Sequence, residues 1–493
     1  MRKLRSIAFL LFAVSASYQA QKKLPNIIYI YADDLGYGST ATYGNPLIKT
    51  PNLDQLASQG MLFTQHYSSA PVCAPARGML MTGKHGGHAY IRGNYELGEF
   101  DDAHEGGQMP LPEGTYTLPK MLKSVGYTTA VIGKWALGMP NNSGNPNELG
   151  VDFFYGLMDQ KQAHSHYPTH LWRNNTIEKL NNPPMNVHQA LNPKTATEKD
   201  FEAFKGKDYA PKKMLDEALA FIDRTKKTPF FLYFPTTLPH VSLQVPDEYR
   251  DRYVGKFDEP EYYYGEKGYA AVKYPYSTFA GMITYLDMQV GEIMKKVKEA
   301  GLEENTIIMF SSDNGGSLES GIPNDLFKIN APFRGFKRDL YEGGIREPFI
   351  IKWPGKVKAG SHSGLVSAQF DVMATLADIT GVKLEKTDGK SFLPTLLGQP
   401  SKQEKHPYLY WEFGETGGAV AIRMGKWKGV KTGLKKNINA PWQIYDLEKD
   451  LQEQHDISSQ HPELIKTFDE IVKKEHRNAH IREWEFVNPK FIR

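Results

Sequence analysis

Cysteine is almost absent from this sequence, because Cys73 is the only one among 493 residues. A single thiol excludes the paired disulfides that stabilise many exported proteins. A free cysteine is most often a small buried hydrophobic residue. Here, however, Pro71, Pro75, Arg77 and Gly78 give it turn-forming and charged neighbours rather than apolar ones. The setting of Cys73 therefore favours a role beyond packing.

A strong excess of one charge sign is also missing. The formal net charge is +3, and no basic run or arginine stripe occurs along the chain. This balance excludes a nucleic-acid partner held by a basic surface. Hydrophobic residues make up 40% of the chain, which is enough to build a large packed core. We therefore expect a globular protein with no nucleic-acid partner.

Long hydrophobic runs are absent, apart from one short run at residues 7–14. Basic residues precede this run and small residues follow it up to residue 20. That layout is typical of a secretory signal peptide, and its apolar part is too short to span a bilayer. No cysteine follows it that could carry a lipid, and no later segment is apolar enough for a membrane. The sequence predicts a signal peptide at residues 1–20, a secreted or periplasmic product and no membrane partner.

Short β-branched and aromatic runs recur along the chain, with helical patterns between them. This alternation predicts an α/β fold with a mostly parallel sheet flanked by helices. One helix candidate begins at Thr50 and Pro51 and ends at Gly60, and another covers residues 277–299. The strand candidates, expected to be buried and parallel, are NIIYIYADDLG from Asn26, TTAVIGKWALG from Thr128, PFFLYFPTTLPH from Pro229, TIIMFSSDNGG from Thr306 and PFIIKWPG from Pro348.

The pattern changes after Pro400. The segments YLYWEF, AVAIRMGKWKGV and WQIYDL indicate short strands, and HPELIKTFDEIVKKEH indicates one amphipathic helix. We therefore predict a larger domain over residues 21–400 and a smaller C-terminal α+β subdomain over residues 401–493. Residues 140–213 are rich in Asn, Pro, His and Tyr, which predicts long surface loops of the kind that often bind ligands.

Chemically active residues follow the strand candidates directly. Ligands of open α/β sheets bind outside the carboxyl ends of the strands, so these positions are expected to converge. Grouped carboxylate and amide oxygens suit a hard cation, with Ca²⁺ as first choice and Mg²⁺ as the alternative. Asp, Asn and Gly also dominate turns, so DDLG or SDNGG alone fits an ordinary turn equally well. The residues after the strands are Asp33, Asp34, Lys134, His240, Asp313 and Asn314.

The residues after Cys73 predict a helix. The segment PARGMLMT opens at Pro75, which places Cys73 at or just before a helix N-terminus. Unpaired backbone N–H groups at such an end favour an anion. Arg77 adds a positive charge within the first turn. The sequence therefore predicts a site for a negatively charged group beside Cys73.

The segments CAPAR and GMLMTGKH resemble the CxPxR signature of the type I sulfatases and the residues that follow it. ADDLGYG, GKWALG, SDNGG, RGFKRDLYEGGIREPFIIKWPG and DGKSFLPTLLG resemble other segments of that family in the same order, from about residue 24 to the C-terminal subdomain. The resemblance implies an alkaline-phosphatase-like fold and a sulfuric ester hydrolase. It also implies that Cys73 becomes Cα-formylglycine, made by a formylglycine-generating enzyme or an anaerobic sulfatase-maturating enzyme.

The same resemblance implies individual roles. The modified residue 73 acts as nucleophile and contacts the metal, and Asp33, Asp34, Asp313 and Asn314 hold that metal. Arg77 supports the nucleophile and the metal carboxylates, Lys134 and Lys337 bind sulfate, and His240 protonates the leaving oxygen. Outside the motifs, a lysine after a strand or a lone loop histidine is usually a solvated surface residue.

One position departs from the family pattern. Many sulfatases have GKWHLG where this chain has GKWALG, so Ala136 replaces a histidine. The resemblance implies that this histidine hydrogen-bonds to the nucleophile and assists breakdown of the hydrate. Alanine can neither donate nor accept a proton, so either another base helps to regenerate the aldehyde, or turnover is slow, or the chain belongs to a branch that solved this differently. His88, His164 and His166 are the candidates, and we expect His164 to lie in the pocket. Ordinary surface-loop histidines fit these positions equally well.

The long loops suggest a carbohydrate substrate. Aromatic faces stack on sugar rings and polar groups hydrogen-bond to hydroxyls. FFYGLMDQKQAHSHYPTHLW resembles a bacterial sulfatase branch associated with galactose or N-acetylgalactosamine sulfates, which implies a sulfated polysaccharide as substrate. Two alternatives remain: a phosphatase or phosphonate monoester hydrolase of the same fold, and a non-catalytic protein that binds sulfated glycans.

Overall fold

The computed structural model describes residues 24–101, 105–384, 386–488 and 490. The predicted signal peptide lies outside these residues. The strands are β1 Asn26–Ala32, β2 Met61–Tyr67, β3 Thr128–Lys134, β4 Phe153–Leu157, β5 His170–Arg173, β6 Thr176–Lys179, β7 Phe230–Pro235, β8 Tyr262–Tyr263, β9 Val272–Lys273, β10 Thr306–Ser312, β11 Arg346–Lys352, β12 Ser361–Ser363, β13 Ser367–Ala368, β14 Leu409–Phe413, β15 Ala419–Met424, β16 Trp427–Thr432 and β17 Gln443–Asp446.

The helices cover both faces of the sheet. They are α1 Pro51–Ser58, α2 Cys73–Thr82, α3 Leu118–Lys123, α4 Glu198–Glu202, α5 Ala210–Thr225, α6 Asp247–Arg250, α7 Pro275–Glu299, α8 Asn324–Phe327, α9 Glu342–Ile345, α10 Asp371–Thr380, α11 Leu393–Leu396 and α12 Pro462–Glu475.

A large mixed sheet forms the centre of the protein, as the sequence predicted. Its strand order is β12-β2-β11-β10-β1-β7-β3-β4-β5-β6, with β13 also paired to β2. Strand β1 lies between β10 and β7 and runs parallel to both. All seven residues of β1 are buried, because both faces of the sheet are covered. This arrangement brings the carboxyl ends of β1, β7, β10 and β3 to one edge.

Successive residues of β1 contribute to two different cores. Ile28 and Ile30 belong to one hydrophobic core, which also contains Ile283 of α7. Ile27 and Tyr29 point to the opposite face. This alternation follows from the two-residue repeat of a strand.

Two sequence predictions about the sheet are wrong. Strand β11 was expected to be parallel, but it runs antiparallel to both β10 and β2. An apolar run buried on both faces does not show the direction of the strand, which explains the error. Residues 140–213 were expected to be loops, but they contain β4, β5 and β6, which extend the sheet at one edge. These strands have only four or five residues each.

The C-terminal region forms an antiparallel sheet in the order β14-β15-β16-β17, accompanied by helix α12. Its strands agree with the α+β prediction, whereas the domain limits at residues 400 and 401 stay a prediction. Trp411 of β14 donates a hydrogen bond of 2.8 Å from Nε1 to the backbone oxygen of Ser68. The same indole ring packs against Tyr67 at 5.5 Å between ring centroids. The small sheet therefore supports the segment that leads from β2 into α2.

Among the described residues, no helix is both long and apolar enough to cross a membrane.

Candidate active site

Helix α2 begins at Cys73, two residues before the predicted start at Pro75. The thiol therefore lies at the helix N-terminus. Cys73 is 2% exposed. Its Sγ lies 3.2 Å from Oδ1 of Asp33 and 3.8 Å from Oδ1 of Asp34, both at the carboxyl end of β1. Burial, together with the charges of Asp313 and Asp33, raises the pKa of the Cys73 thiol well above its usual value. The unmodified side chain is therefore a protonated thiol and a poor nucleophile.

Oxygen-bearing side chains from two strand ends meet beside Cys73. The backbone N–H of Asp34 donates to Oδ1 of Asp313 at 3.0 Å. The Asn314 amide donates from Nδ2 to Oδ1 of Asp34 at 2.7 Å. The Asn314 Oδ1 atom is buried and has no hydrogen-bond partner among the residues that the structure describes. This orphaned acceptor beside three carboxylates fits a hard cation, because calcium and magnesium prefer oxygen ligands.

Three buried cations, Lys134, Lys337 and Arg77, balance these carboxylates. Lys134 Nζ lies 2.8 Å from Oδ2 of Asp33. Lys337 Nζ lies 2.8 Å from Oδ2 of Asp34. Each pair is fully or almost fully shielded from solvent, so the interaction is stronger than a surface ion pair.

Arg77 joins the two strand ends. Its Nη2 lies 2.7 Å from Oδ2 of Asp313 and 3.5 Å from Oδ2 of Asp33, and its Nη1 donates to the backbone oxygen of Lys134 at 3.0 Å. Burial opposes ionisation of Asp33, but the cations Lys134 and Arg77 hold the pKa of this carboxyl well below its usual value. Burial and the neighbouring Asp33 raise the pKa of Asp313 to about 7.

His240 follows β7 and faces the same group. Its Nε2 lies 3.2 Å from Nζ of Lys337 and 3.5 Å from Oδ2 of Asp34. Its Nδ1 bonds the backbone oxygen of Val241, so Nδ1 carries the proton. Burial and the charge of Lys337 lower the pKa of His240, which leaves a neutral ring with a lone pair on Nε2.

A cavity of about 220 Å³ lies at this group and is lined by Cys73, Lys134, His240 and Lys337 among others. A larger cavity, of about 640 Å³, lies between the β2 edge of the main sheet and the C-terminal sheet. The larger one contains none of the residues predicted from sequence, so the chemistry identifies the smaller cavity as the site. The predicted residues that line it are Cys73, Lys134, His164, His240 and Lys337.

Two predicted histidines do not reach this cavity. His166 is fully buried, and its ring nitrogens contact the Thr237 hydroxyl at 3.0 Å and the backbone oxygen of His240 at 2.9 Å. It therefore supports the loop that carries His240 and has no free nitrogen for a substrate. His88 lies elsewhere, with its Nδ1 3.0 Å from Asp388 and its Nε2 3.7 Å from Glu475. The structure therefore places His88 and His166 outside this cavity, and their role in substrate binding stays a prediction.

The surroundings of His88 form a second group of titratable side chains. His85, His88 and Glu475 place ligand atoms close together, near the end of α12. However, Nδ1 of His85 accepts the backbone N–H of Gly87 at 3.1 Å, so its Nε2 carries the proton and donates to Glu475 at 3.2 Å. This group is therefore a hydrogen-bonded contact between α12 and the segment after α2.

Sequence reasoning missed several residues of the site. Glu319 lies 3.7 Å from Lys337 and 2.7 Å from Arg338, and these cations lower its pKa to about 2 although burial opposes ionisation. His188 contacts His164 at 3.0 Å. Adjacency to Lys337 could have pointed to Arg338, but no local signal marks Glu319 or His188. Further residues lining the cavity are Asn94, Glu96, Gln160, Lys161 and Tyr269.

Comparison with known proteins agrees with this geometry. The Sulfatase family model matches residues 25–382, and the model described as N-sulphoglucosamine sulphohydrolase, C-terminal, matches residues 334–478. The chain is 29% identical to an N-acetylgalactosamine-6-O-sulfatase of Bacteroides thetaiotaomicron, over 91% of this chain and 92% of the relative. It is also 29% identical to an N-acetylgalactosamine-6-sulfatase of Rattus norvegicus, over 82% of this chain and 71% of the relative.

Solved structures show the same architecture. The crystal structure of Ps i-CgsB superposes with a TM-score of 0.73 and 27% identity, and covers 95% of both chains. A phosphonate monoester hydrolase of Agrobacterium radiobacter shares the fold alone, with a TM-score of 0.63 and 19% identity. The family match extends over most of the chain and includes every strand end that forms the cavity. We conclude that the chain belongs to the sulfatase family, whose members hydrolyse sulfuric esters.

Proposed function

We propose that this sulfatase removes sulfate from a sulfated carbohydrate, using a formylglycine made from Cys73 and a bound Ca²⁺ ion. The observation that carries the proposal is the position of Cys73, buried at a helix N-terminus between metal-type carboxylates and three cations. An anionic ester group would find positive charge there from the helix end and from Lys134 and Lys337.

The raised pKa of the Cys73 thiol supports the need for modification. A protonated thiol attacks sulfur poorly, whereas the hydrate of an aldehyde supplies an oxygen nucleophile at the same position. The maturation enzyme that makes this change is a proposed partner of the chain. The signal-peptide pattern supports a further proposal, that the protein is secreted or periplasmic.

The oxygen cluster supports the metal assignment. Asp33, Asp34, Asp313 and Asn314 would hold the ion, which would supply Lewis-acid stabilisation of charge on sulfate oxygens. Within the described part of the chain, Asn314 Oδ1 has no hydrogen-bond partner, so it is available as a ligand. Ca²⁺ remains our first choice because it accepts irregular oxygen sets, and Mg²⁺ is the alternative.

Lys337 and His240 together supply the acid. Lys337 donates to Nε2 of His240 at 3.2 Å, so the pair holds a proton next to the cavity. Delivering that proton to the leaving oxygen avoids the expulsion of an alkoxide. Lys134, held against Asp33 in the same cavity, stabilises negative charge and does not need to transfer a proton.

The substrate class rests on the relatives. Two of them are named for sulfate on N-acetylgalactosamine, which supports a galactose or N-acetylgalactosamine sulfate as substrate. Aromatic and polar residues at the cavity, among them Tyr269 and Gln160, suit a sugar ring and its hydroxyls.

Two measurements test the proposal. Mass spectrometry of the tryptic peptide covering residues 50–77 should show the aldehyde in place of the thiol. The matured protein should release sulfate from sulfated galactose or N-acetylgalactosamine saccharides but no phosphate from matching phosphate or phosphonate esters. A Cys73→Ala variant is the control. Aldehyde without sulfate release, or faster release from phosphorus esters, would contradict the proposal, and binding without turnover would identify a glycan-binding protein instead.

A further inference from the structure

A chain of hydrogen bonds leads from the protein surface to the cavity through two histidines. Nδ1 of the exposed His188 lies 2.7 Å from the backbone oxygen of Gly268. Nε2 of His188 lies 3.0 Å from Nδ1 of His164. His164 lines the cavity together with Cys73 and His240.

The backbone oxygen at the start of this chain sets the proton positions when the His188 ring is neutral. A backbone oxygen only accepts, so Nδ1 of His188 must carry a proton. In the neutral ring, Nε2 of His188 is then an acceptor, and it takes the Nδ1 proton of His164. Neutral His164 therefore has no proton on Nε2, which presents a lone pair.

The His164 ring is held firmly in this orientation. It stacks on His240 with ring centroids 5.1 Å apart and an interplanar angle of 9°. Its backbone oxygen accepts the N–H of Ser242 at 2.9 Å, and its backbone N–H donates to Lys161 at 3.0 Å. The edge of Tyr269 packs against both histidines of the chain, at 5.5 and 5.0 Å.

Burial and nearby positive charge keep the His164 ring neutral. Burial is the largest influence, and the charges of Lys134 and Lys337 add to it, so the pKa of His164 lies well below its usual value. A neutral ring is what the hydrogen-bond chain requires. Among the described residues, Nε2 of His164 has no hydrogen-bond partner. This atom is also not one of the fully buried unpaired atoms.

We propose that His188 is a positioning residue that fixes the tautomer of His164, so that His164 Nε2 accepts a hydrogen bond from a hydroxyl group bound in the cavity. This goes beyond the expectation that His164 lies in the pocket, because it assigns a direction to the hydrogen bond and a residue that controls it. The identity of the hydroxyl rests on the proposed function: it belongs either to the hydrated residue 73 or to the saccharide. An acceptor here compensates for Ala136, whose side chain makes no hydrogen bond.

Substitution of His188 separates the tautomer from simple packing. In His188→Gln the amide oxygen can still accept the Nδ1 proton of His164. In His188→Lys the ammonium group can only donate, so it should force the Nδ1 of His164 to accept and move the proton to Nε2. His188 is exposed, so both replacement side chains have room at the surface, and His188→Ala provides a variant with no partner.

Two-bond ¹⁵N–¹H correlation spectra of protein with ¹⁵N-labelled histidine give a direct readout, and His164→Gln identifies the signals. Wild type and His188→Gln should show His164 protonated on Nδ1, and His188→Lys should show it protonated on Nε2. The exposed His455, with 79% of its side chain accessible, provides the control His455→Lys, which should change neither the tautomer nor turnover. A wild-type His164 protonated on Nε2, or an unchanged tautomer in His188→Lys, would overturn the proposal.

Kinetics on matured enzyme give the second readout. We expect kcat/KM to fall about 10- to 100-fold in His188→Lys and to stay within about threefold of wild type in His188→Gln. Weaker binding of the desulfated saccharide by His188→Lys would identify a saccharide hydroxyl, and unchanged binding with lower kcat would identify the hydrate of residue 73. Equal losses in the Gln and Lys variants would overturn the proposal. The spectra do not depend on turnover, so an inactive enzyme would refute the proposed function without affecting this result.

Discussion

Replacement of Arg77 by methionine tests whether the strand-end carboxylates depend on buried positive charge. Arg77 is fully buried and pairs with Asp313 at 2.7 Å and with Asp33 at 3.5 Å. Methionine fills a similar volume but leaves both carboxylates without this cation. Removing one partner of a buried ion pair costs about 3–5 kcal/mol, because the remaining charge is uncompensated. We therefore expect the free energy of unfolding to fall by about 3–5 kcal/mol in the presence of chelator.

Urea unfolding followed by tryptophan fluorescence measures this loss. The control is Lys212→Met, since Lys212 and Asp216 form a surface pair at 2.7 Å with both side chains more than half exposed. That substitution should cost less than about 0.5 kcal/mol. Added Ca²⁺ should stabilise Arg77→Met more than wild type, because the ion replaces the missing positive charge. A loss below about 1 kcal/mol in chelator, or equal calcium effects in the two proteins, would refute the reasoning.

Two further predictions concern the scaffold. His476 lies 2.8 Å from Glu412 and 3.3 Å from Glu485, and these carboxylates outweigh burial and raise its pKa to about 9. Because the folded-state pKa is raised, protonated His476 adds to the free energy of unfolding below about pH 6.5, and this contribution is lost as the pH rises towards 9. Between these pH values, the free energy of unfolding of the wild type should fall by about 1–2 kcal/mol more than that of His476→Gln, as measured by urea titrations. A Cβ at Gly133 would lie 2.0 Å from a backbone oxygen of β7, so Gly133→Ala should lower the free energy of unfolding by about 3 kcal/mol or more. The control is Gly364→Ala, whose Cβ would have no contact closer than 3.7 Å, so its free energy of unfolding should stay within about 0.5 kcal/mol of wild type. The first expectation would be contradicted if the free energy of unfolding changed equally with pH in wild type and His476→Gln. The second would be contradicted if Gly133→Ala and Gly364→Ala had equal melting temperatures.

The central sheet could be predicted because its strands are continuous apolar runs. Strand β1 and strand β10 end in acidic residues, and the rule that ligands bind at the carboxyl ends of strands placed these residues together. The direction of β11 could not be predicted, since its burial is the same in either orientation. Strands β5 and β6 were missed because their four-residue segments contain many polar residues, and the short apolar run of β4 was outweighed by the Asn- and Pro-rich sequence around it.

The histidines show where sequence reasoning stops. His88 and His164 lie in similar polar segments, yet only His164 reaches the cavity. The difference depends on how each segment packs against distant parts of the chain, such as Asp388 in one case and Ser242 in the other. His188 could not be found from its neighbours in sequence, because its role depends on Gly268, 80 residues away.

The depth of Cys73 also determines when it can be modified. Only 2% of the residue is accessible in the folded chain, beneath Asp33 and Lys134. The proposed modification would therefore have to reach the thiol before α2 and the strand ends assemble. Folding and this modification would compete in time. A host in which folding is faster would accumulate a stable protein that carries the thiol permanently, and slower folding would raise the yield of the aldehyde form.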